Sequence, residues 1–149
     1  MVSADQVKQL REKTGLSVIE CKQALEEAQG DETKAMEILN SKSQEKAEKK
    51  SEREAGQGLI EPYVHNNGKV GVLLQLHCET DFVASNEEFK AVAHDLAMQV
   101  VAMNPENEEE LLAQPFIKDQ DKTVQEVIHG LVGKLGENIK LGKFVRLEI

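Results

Sequence analysis

The stretch Val70–Glu88, VGVLLQLHCETDFVASNEE, decides how this chain folds. Val70 to Leu76 is an apolar run rich in β-branched residues, the pattern of a buried strand. Ser85-Asn86-Glu87-Glu88 has the spacing of a capping box, in which the Ser85 hydroxyl accepts a first-turn N–H and Glu88 reaches back. A strand therefore passes into a helix, and Asp81 and Phe82 fall in the tight connection, outside both regular elements. The chain has four Phe, one Tyr and no Trp, so a Phe on a connection is a core builder put to unusual use. Two readings stand. An aromatic beside a carboxylate on a rigidly flanked loop is a probe for another macromolecule; alternatively, Phe82 folds back into the core and Asp81 makes a local turn bond.

Working outward, Leu59–Val64 and Lys69–Cys78 flank Asn66-Asn67-Gly68, a hairpin signal in which Asn-Gly supplies the positive φ of a tight turn. Pro62 belongs at an edge or bulge of the first strand, because it cannot donate to a ladder. From about 86 to 103, Phe89, Val92, Ala93, Leu96, Ala97, Val100 and Val101 recur at helical spacing, and Pro105 ends the helix. The acidic segment 106–110 leads into a short helix through Leu111 and Leu112. A further helix spans Lys122–Leu135, and Lys143–Ile149 (KFVRLEI) alternates as a strand. Residues 56–149 thus read as a small α+β domain: an antiparallel sheet, about three-stranded, with helices on one face.

Residues 1–40 read as three short helices. Ser3 with Gln6 and Ser17 with Glu20 are capping boxes, and Gly15 and Gly30 end the first two helices. The second carries Ile19, Ala24, Leu25 and Ala28; Asp31 caps the third, which carries Ala35, Ile38 and Leu39. A three-helix bundle of the ubiquitin-associated type follows. Between the two domains lies a linker, 41–55, whose residues 41–54 include five basic and four acidic side chains and one Ala. Helix propensity is high there and no apolar face is evident, so the linker reads as a charged, solvated helix.

Composition excludes several classes. With 40% hydrophobic but only 3% aromatic residues, the core is built from Leu, Val, Ile and Ala. A net charge of -9 argues against a nucleic-acid binder, which needs clustered Lys and Arg. No run approaches the roughly 18 apolar residues of a membrane span, and residues 1–9 lack a signal peptide's apolar core, so the chain reads as cytoplasmic. Cys21 and Cys78 fall in different domains and read as thiols. Cys21 has no base in a nucleophile pattern. His77, Cys78 and His94 lack metal-ligand spacing, and Gly130–Lys134 lacks the spacing of a phosphate-binding loop. No catalytic residue, metal or cofactor is expected.

Three segments carry a resemblance. Leu10–Leu25 (LREKTGLSVIECKQAL) with Gly30-Asp31, Thr80–Ala84 (TDFVA), and Lys134–Ile139 (KLGENI) resemble, in order, the opening, the core signature and a later segment of bacterial elongation factor Ts. That family is the guanine-nucleotide exchange factor of elongation factor Tu. The resemblance implies that Asp81 and Phe82, in a loop shaped by Thr80 and Val83, insert beside the partner's switch II helix and disturb its magnesium and phosphate site. It also implies a second contact through Arg11, Val18 and Ile19; of the adjacent pair Val18 and Ile19, at least one must be exposed. Gln99 stands where many members carry a His that contacts the partner near its phosphate loop, and Gln cannot become cationic. The implied partner is elongation factor Tu, both GDP-bound and nucleotide-free. Longer members continue into a second core subdomain after the position of KFVRLEI; short members pair, which implies a homodimer here, with strand Lys143–Ile149 as the pairing edge and Phe144 and Val145 available to bury. The function expected is a translation elongation factor that acts without enzymatic chemistry. The alternative is an adaptor that binds a protein partner through the N-terminal bundle.

Overall fold

A computed structural model describes all residues from Met1 to Ile149. Helix α1 (Ala4–Thr14) opens on a reciprocal capping box between Ser3 and Gln6, and α2 (Val18–Glu27) on one between Ser17 and Glu20. Gly15, at φ 68°, ends α1 in the left-handed conformation. The face of α2 that enters the core is Cys21, Ala24 and Leu25, continued by Ala28. These pack with Leu10, Leu16, Ala35 and Leu39 in a first hydrophobic core. Ile19, carried by the same helix, lies outside that face, 68% exposed. A stripe at positions 21, 24, 25 and 28 already closes the helix onto its neighbours.

The third helix is not short. Capped by Asp31, α3 runs from Glu32 to Lys50 without interruption. Nor is its charged second half wholly solvated, since Ser43 and Ala47 are buried. They form a narrow small-residue face against a later helix, α7 (Val124–Leu135), and Ala47 joins the second core. The packing is close: a Cβ at Gly133 would lie 2.8 Å from Ser43 Oγ.

The second core lies between a sheet and its helices. Strands β1 (Gln57–Val64), β2 (Val70–Cys78) and β5 (Lys140–Glu148) form an antiparallel sheet in the order β1-β2-β5. The hairpin closes through a five-residue connection, 65–69, in which Gly68 alone takes the positive φ (72°) and Asn67 does not, so it is not the two-residue turn of an Asn-Gly pair. Pro62 sits on β1, an edge strand, opposite Leu73. Helix α5 (Glu87–Met103) lays Phe89, Ala93, Leu96, Ala97 and Val100 over Val72, Leu74 and Leu76 of β2. Its N-cap is Asn86 and not Ser85: the Asn86 carboxamide oxygen accepts the N–H groups of both Glu88 and Phe89. An N-cap needs extended backbone, which Asn86 has (φ -68°, ψ 136°) and Ser85 lacks (φ -90°, ψ -6°). After Asn104, α6 (Glu108–Ala113) leads to a two-stranded ribbon of β3 (Pro115–Phe116) and β4 (Asp119–Thr123), which sequence patterning did not indicate. The fold is α+β, with a three-helix bundle joined through a long helix to a sheet covered on one face.

Candidate functional site

The connection after β2 is itself a turn of helix, α4 (Asp81–Ala84). Thr80, in extended conformation, caps it by accepting the Val83 N–H at 3.4 Å. Ser85 closes it, its N–H donating to the Asp81 carbonyl. Val83 turns inward, 9% exposed, and belongs to the second core. Opposite it, Phe82 is 89% exposed. The turn therefore has one anchoring side chain and one presented side chain, on a helical backbone that fixes the angle between them. Asp81 is exposed beside Phe82, and the side-chain hydrogen bonds of the turn run through Thr80. Phe82 does not fold back.

Behind the turn stands the loop between α7 and β5. Gly136, at φ 76°, ends α7 and aims the chain at the base of α4. One Glu137 carboxylate oxygen accepts the N–H groups of Glu79 (3.1 Å) and Thr80 (3.0 Å); the other accepts the Thr80 hydroxyl at 2.6 Å. In return Glu79 accepts the Asn138 N–H at 2.8 Å. The Asn138 carboxamide, almost fully buried, donates to the carbonyls of Arg53 (2.7 Å) and Ser51 (3.4 Å) just beyond α3. Arg53 in turn pairs with Glu79 at 3.6 Å. At the foot of this network burial pushes the Cys78 thiol up from its ordinary value, the Glu137 carboxylate adding to it, so Cys78 stays protonated near neutrality. In sequence, KLGENI stands out only through its resemblance to the family segment. Nothing local marks Glu137 or Glu79 as partners, because they meet across 58 positions of chain.

The other expected site residues are elsewhere. Arg11, Val18 and Ile19 are all exposed on the bundle, Val18 at 52%. Both members of the adjacent pair thus face outward. Val7, Arg11 and Val18 line a groove between α1 and α2. Gln99 is fully buried: its amide nitrogen donates to the Gln114 side chain and the Pro115 carbonyl, and its oxygen accepts the Ile117 N–H. In this conformation it holds the β3 segment to α5 and presents no group to a partner. Four residues on the sheet face away from α5, Ile60, Leu73, Val145 and Leu147, are exposed and, by register, adjacent. Phe144 points the other way, against the core. No cluster of three His, Cys, Asp or Glu side chains has a metal-binding arrangement, and no helix is long and apolar enough to cross a membrane.

Comparison with known proteins bears on both cores. The family model for Elongation factor TS matches residues 79–149, beginning two residues before α4. Elongation factor Ts of Desulforamulus reducens is 39% identical, the alignment covering 99% of this chain and 89% of that protein. Elongation factor Ts of Fervidobacterium nodosum is 40% identical, with 99% of this chain and 98% of the relative covered. The Thermotoga neapolitana protein of the same name is also 40% identical, over 97% of its length. These alignments span 191 to 193 positions against a chain of 149 residues, so at least 42 positions inside the aligned span are occupied in the relatives and not here.

Proposed function

The chain belongs to the elongation factor Ts family, whose members are translation elongation factors, and from that premise we propose that it promotes GDP release from elongation factor Tu. Phe82 and Asp81 are the proposed working end. The observation that carries this reading is the full exposure of Phe82 on a one-turn helix anchored from beneath by Val83 and from behind by Glu137. An exposed aromatic held this stiffly loses little entropy when it enters a pocket.

The mechanism needs no covalent step. In a nucleotide-binding protein Mg²⁺ ties phosphate oxygens to the protein through few ligands, so a wedge that displaces those ligands loosens the nucleotide. A chain that binds the nucleotide-free partner more tightly than the GDP-bound one must lower GDP affinity by the same factor. Phe82 supplies the apolar wedge, and Asp81 brings a negative charge toward a site organised around a cation. Thr80 and Val83 shape the turn. Arg11, Val18 and Ile19 form a second contact, an apolar patch with a cationic rim on the bundle. In this reading residues 1–40, of ubiquitin-associated type, and 56–149 are two contact modules. Segment 41–55 is the connector, stiff because α3 is continuous and packed on α7. Gln99 enters through its support of the β3 segment and not as a contact.

Two further parts belong to the proposal. The work is done in the cytoplasm, where the partner translates. The chain also acts as a homodimer, the second copy covering the apolar outer face of the sheet, Ile60, Leu73, Val145 and Leu147, and not merely pairing along β5.

The test is release of a fluorescent GDP analogue from bacterial elongation factor Tu, with the wild-type chain beside Asp81→Ala/Phe82→Ala. Strong acceleration that is lost in the variant is the expected result. Acceleration that survives in the variant would move the wedge elsewhere on the chain. No acceleration by wild type, with a competent partner, would favour an adaptor that binds through the bundle.

A further inference from the structure

We infer that Glu137 is a positioning residue for the Asp81–Phe82 turn, and that Glu79 and Asn138 extend the same clasp to the end of α3. The inference rests on the exchange reading for what the turn does, but not for how it is held. The turn's backbone has only four helical residues and cannot hold its direction through its own hydrogen bonds. Its one internal cap, Thr80 Oγ1 to the Val83 N–H, is long at 3.4 Å.

Glu137 provides the missing constraint. Its carboxylate takes the Glu79 and Thr80 N–H groups and the Thr80 hydroxyl, three bonds to a charged acceptor at the root of α4. The hydroxyl bond also sets the Thr80 side chain so that its remaining lone pair faces the Val83 N–H. The direction of Phe82 is thereby fixed from the opposite side of the turn.

The clasp is reciprocal and reaches a third segment. Glu79 accepts the Asn138 N–H and pairs with Arg53, while the Asn138 amide nitrogen donates to the Arg53 and Ser51 carbonyls. Lys50 adds a bond from its ammonium to the Gly136 carbonyl at 2.9 Å. The working turn, the loop after α7 and the end of the helix that carries the bundle therefore share one network. Misplacement of a reacting or inserting group by about 1 Å can cost on the order of a hundredfold in rate. A clasp of this kind sets that distance.

The variants are Glu137→Ala, Glu137→Gln and Glu137→Asp, each alone and Glu137→Ala also combined with Asp81→Ala/Phe82→Ala. Gln preserves the geometry: its oxygen accepts both N–H groups and its nitrogen donates to Thr80 Oγ1. The first readout is amide hydrogen exchange over Ala84–Asn86, whose N–H groups close the turn. Faster exchange there in Glu137→Ala, near-wild-type exchange in Glu137→Gln and no change in α1 are expected. The second readout is the maximal GDP-release rate at saturating chain. Glu137→Ala should lower it about tenfold or more, with Glu137→Gln within about twofold of wild type. On the Asp81→Ala/Phe82→Ala background Glu137→Ala should change it less than about twofold, since residues acting as a unit are not additive. Unchanged protection of the turn, or a full Glu137→Ala effect on that background, would overturn the inference. If Glu137→Ala does not fold, Glu137→Asp, which draws the carboxylate back by one methylene from the Glu79 and Thr80 groups and leaves the Thr80 cap in place, carries the same tests. If the wild-type chain releases no GDP, the exchange reading fails, and hydrogen exchange alone decides the clasp.

Discussion

Phe82 and Phe89 stand on consecutive helices, and one is 89% exposed while the other is 0% exposed. Phe89 is the largest fully buried side chain, in the second core with Leu74, Leu76 and Leu96. Its transfer from water is spent on folding. Phe82 leaves its ring in solvent on a backbone more constrained than a loop requires, so its transfer free energy remains available for a partner. The sheet repeats the contrast. Leu74 and Leu76 face α5, while their neighbour Leu73 faces outward with Val145 and Leu147. Stability and recognition are thus carried by the same kinds of side chain, separated by which way the backbone turns them.

The contrast is broken most directly at the two phenylalanines. Phe89→Ala should destabilise the chain by about 3–5 kcal/mol, the cost of an aromatic-sized cavity in a closed core. Phe82→Ala should change stability by less than about 0.5 kcal/mol, as for an exposed site. Its cost should appear instead in binding, about 2 kcal/mol or more if the ring fills a pocket. Urea unfolding of both variants, followed by titration calorimetry against elongation factor Tu, measures both sides. A comparable loss of stability in the two variants would remove the distinction.

The elements that signalled themselves in sequence are those whose patterns are local. Asn67-Gly68 with its flanking apolar runs, the stripe Phe89–Val100 and the Ser17/Glu20 capping box each state their structure within one turn or one hairpin. The β3–β4 ribbon did not, because Asp119–Thr123 is polar throughout and carries no alternation. The buried face of α3's second half escaped for a related reason: Ser43 and Ala47 are too small to register as an apolar stripe, yet their smallness is what lets α3 approach Gly133. Ile19 shares the helical spacing of α2 yet stands exposed, because periodicity alone does not say which neighbours fill a face. At the site, Asp81 and Phe82 were legible as residues out of place. The clasp formed by Glu79, Glu137 and Asn138 was not, since its partners are distant in sequence and ordinary in type. Gln99 read as a surface group on a resemblance, although its place in the α5 stripe, three residues after Leu96, points inward.

A finer test applies to the sheet. Val145→Lys with Leu147→Lys places two charges on the outer face, where the wild-type side chains are 58% and 73% exposed. If that face meets a second copy, sedimentation at tens of micromolar should shift from two chains to one, with the unfolding free energy of the single chain changed by less than about 0.5 kcal/mol. A single chain of 16.6 kDa for the wild type would rule out the pairing and leave the apolar face to another partner.

The smallest expected effect lies in the polar rim, where charge and not apolar area is at stake. Burial alone would raise the Glu20 carboxyl, but hydrogen bonds from Lys46 and Ser17 more than offset it and hold Glu20 below its ordinary value of 4.5. Lys46 reaches it from α3, so this pair ties the charged half of that helix back to α2. A carboxyl whose folded value is depressed contributes stability above its unfolded value, and that contribution is lost as the pH falls through the folded one. Glu20→Gln keeps an acceptor for the Ser17 N–H and removes the charge together with the bond accepted from Lys46. At neutral pH the variant should be less stable by about 0.5 kcal/mol, the range of a partly solvated pair, and less so at high salt. As the pH falls below 4.5 the gap should close, because the wild type loses its charge there and the variant has none to lose. A gap that persisted at acid pH would assign the effect to packing of the side chain and not to its charge.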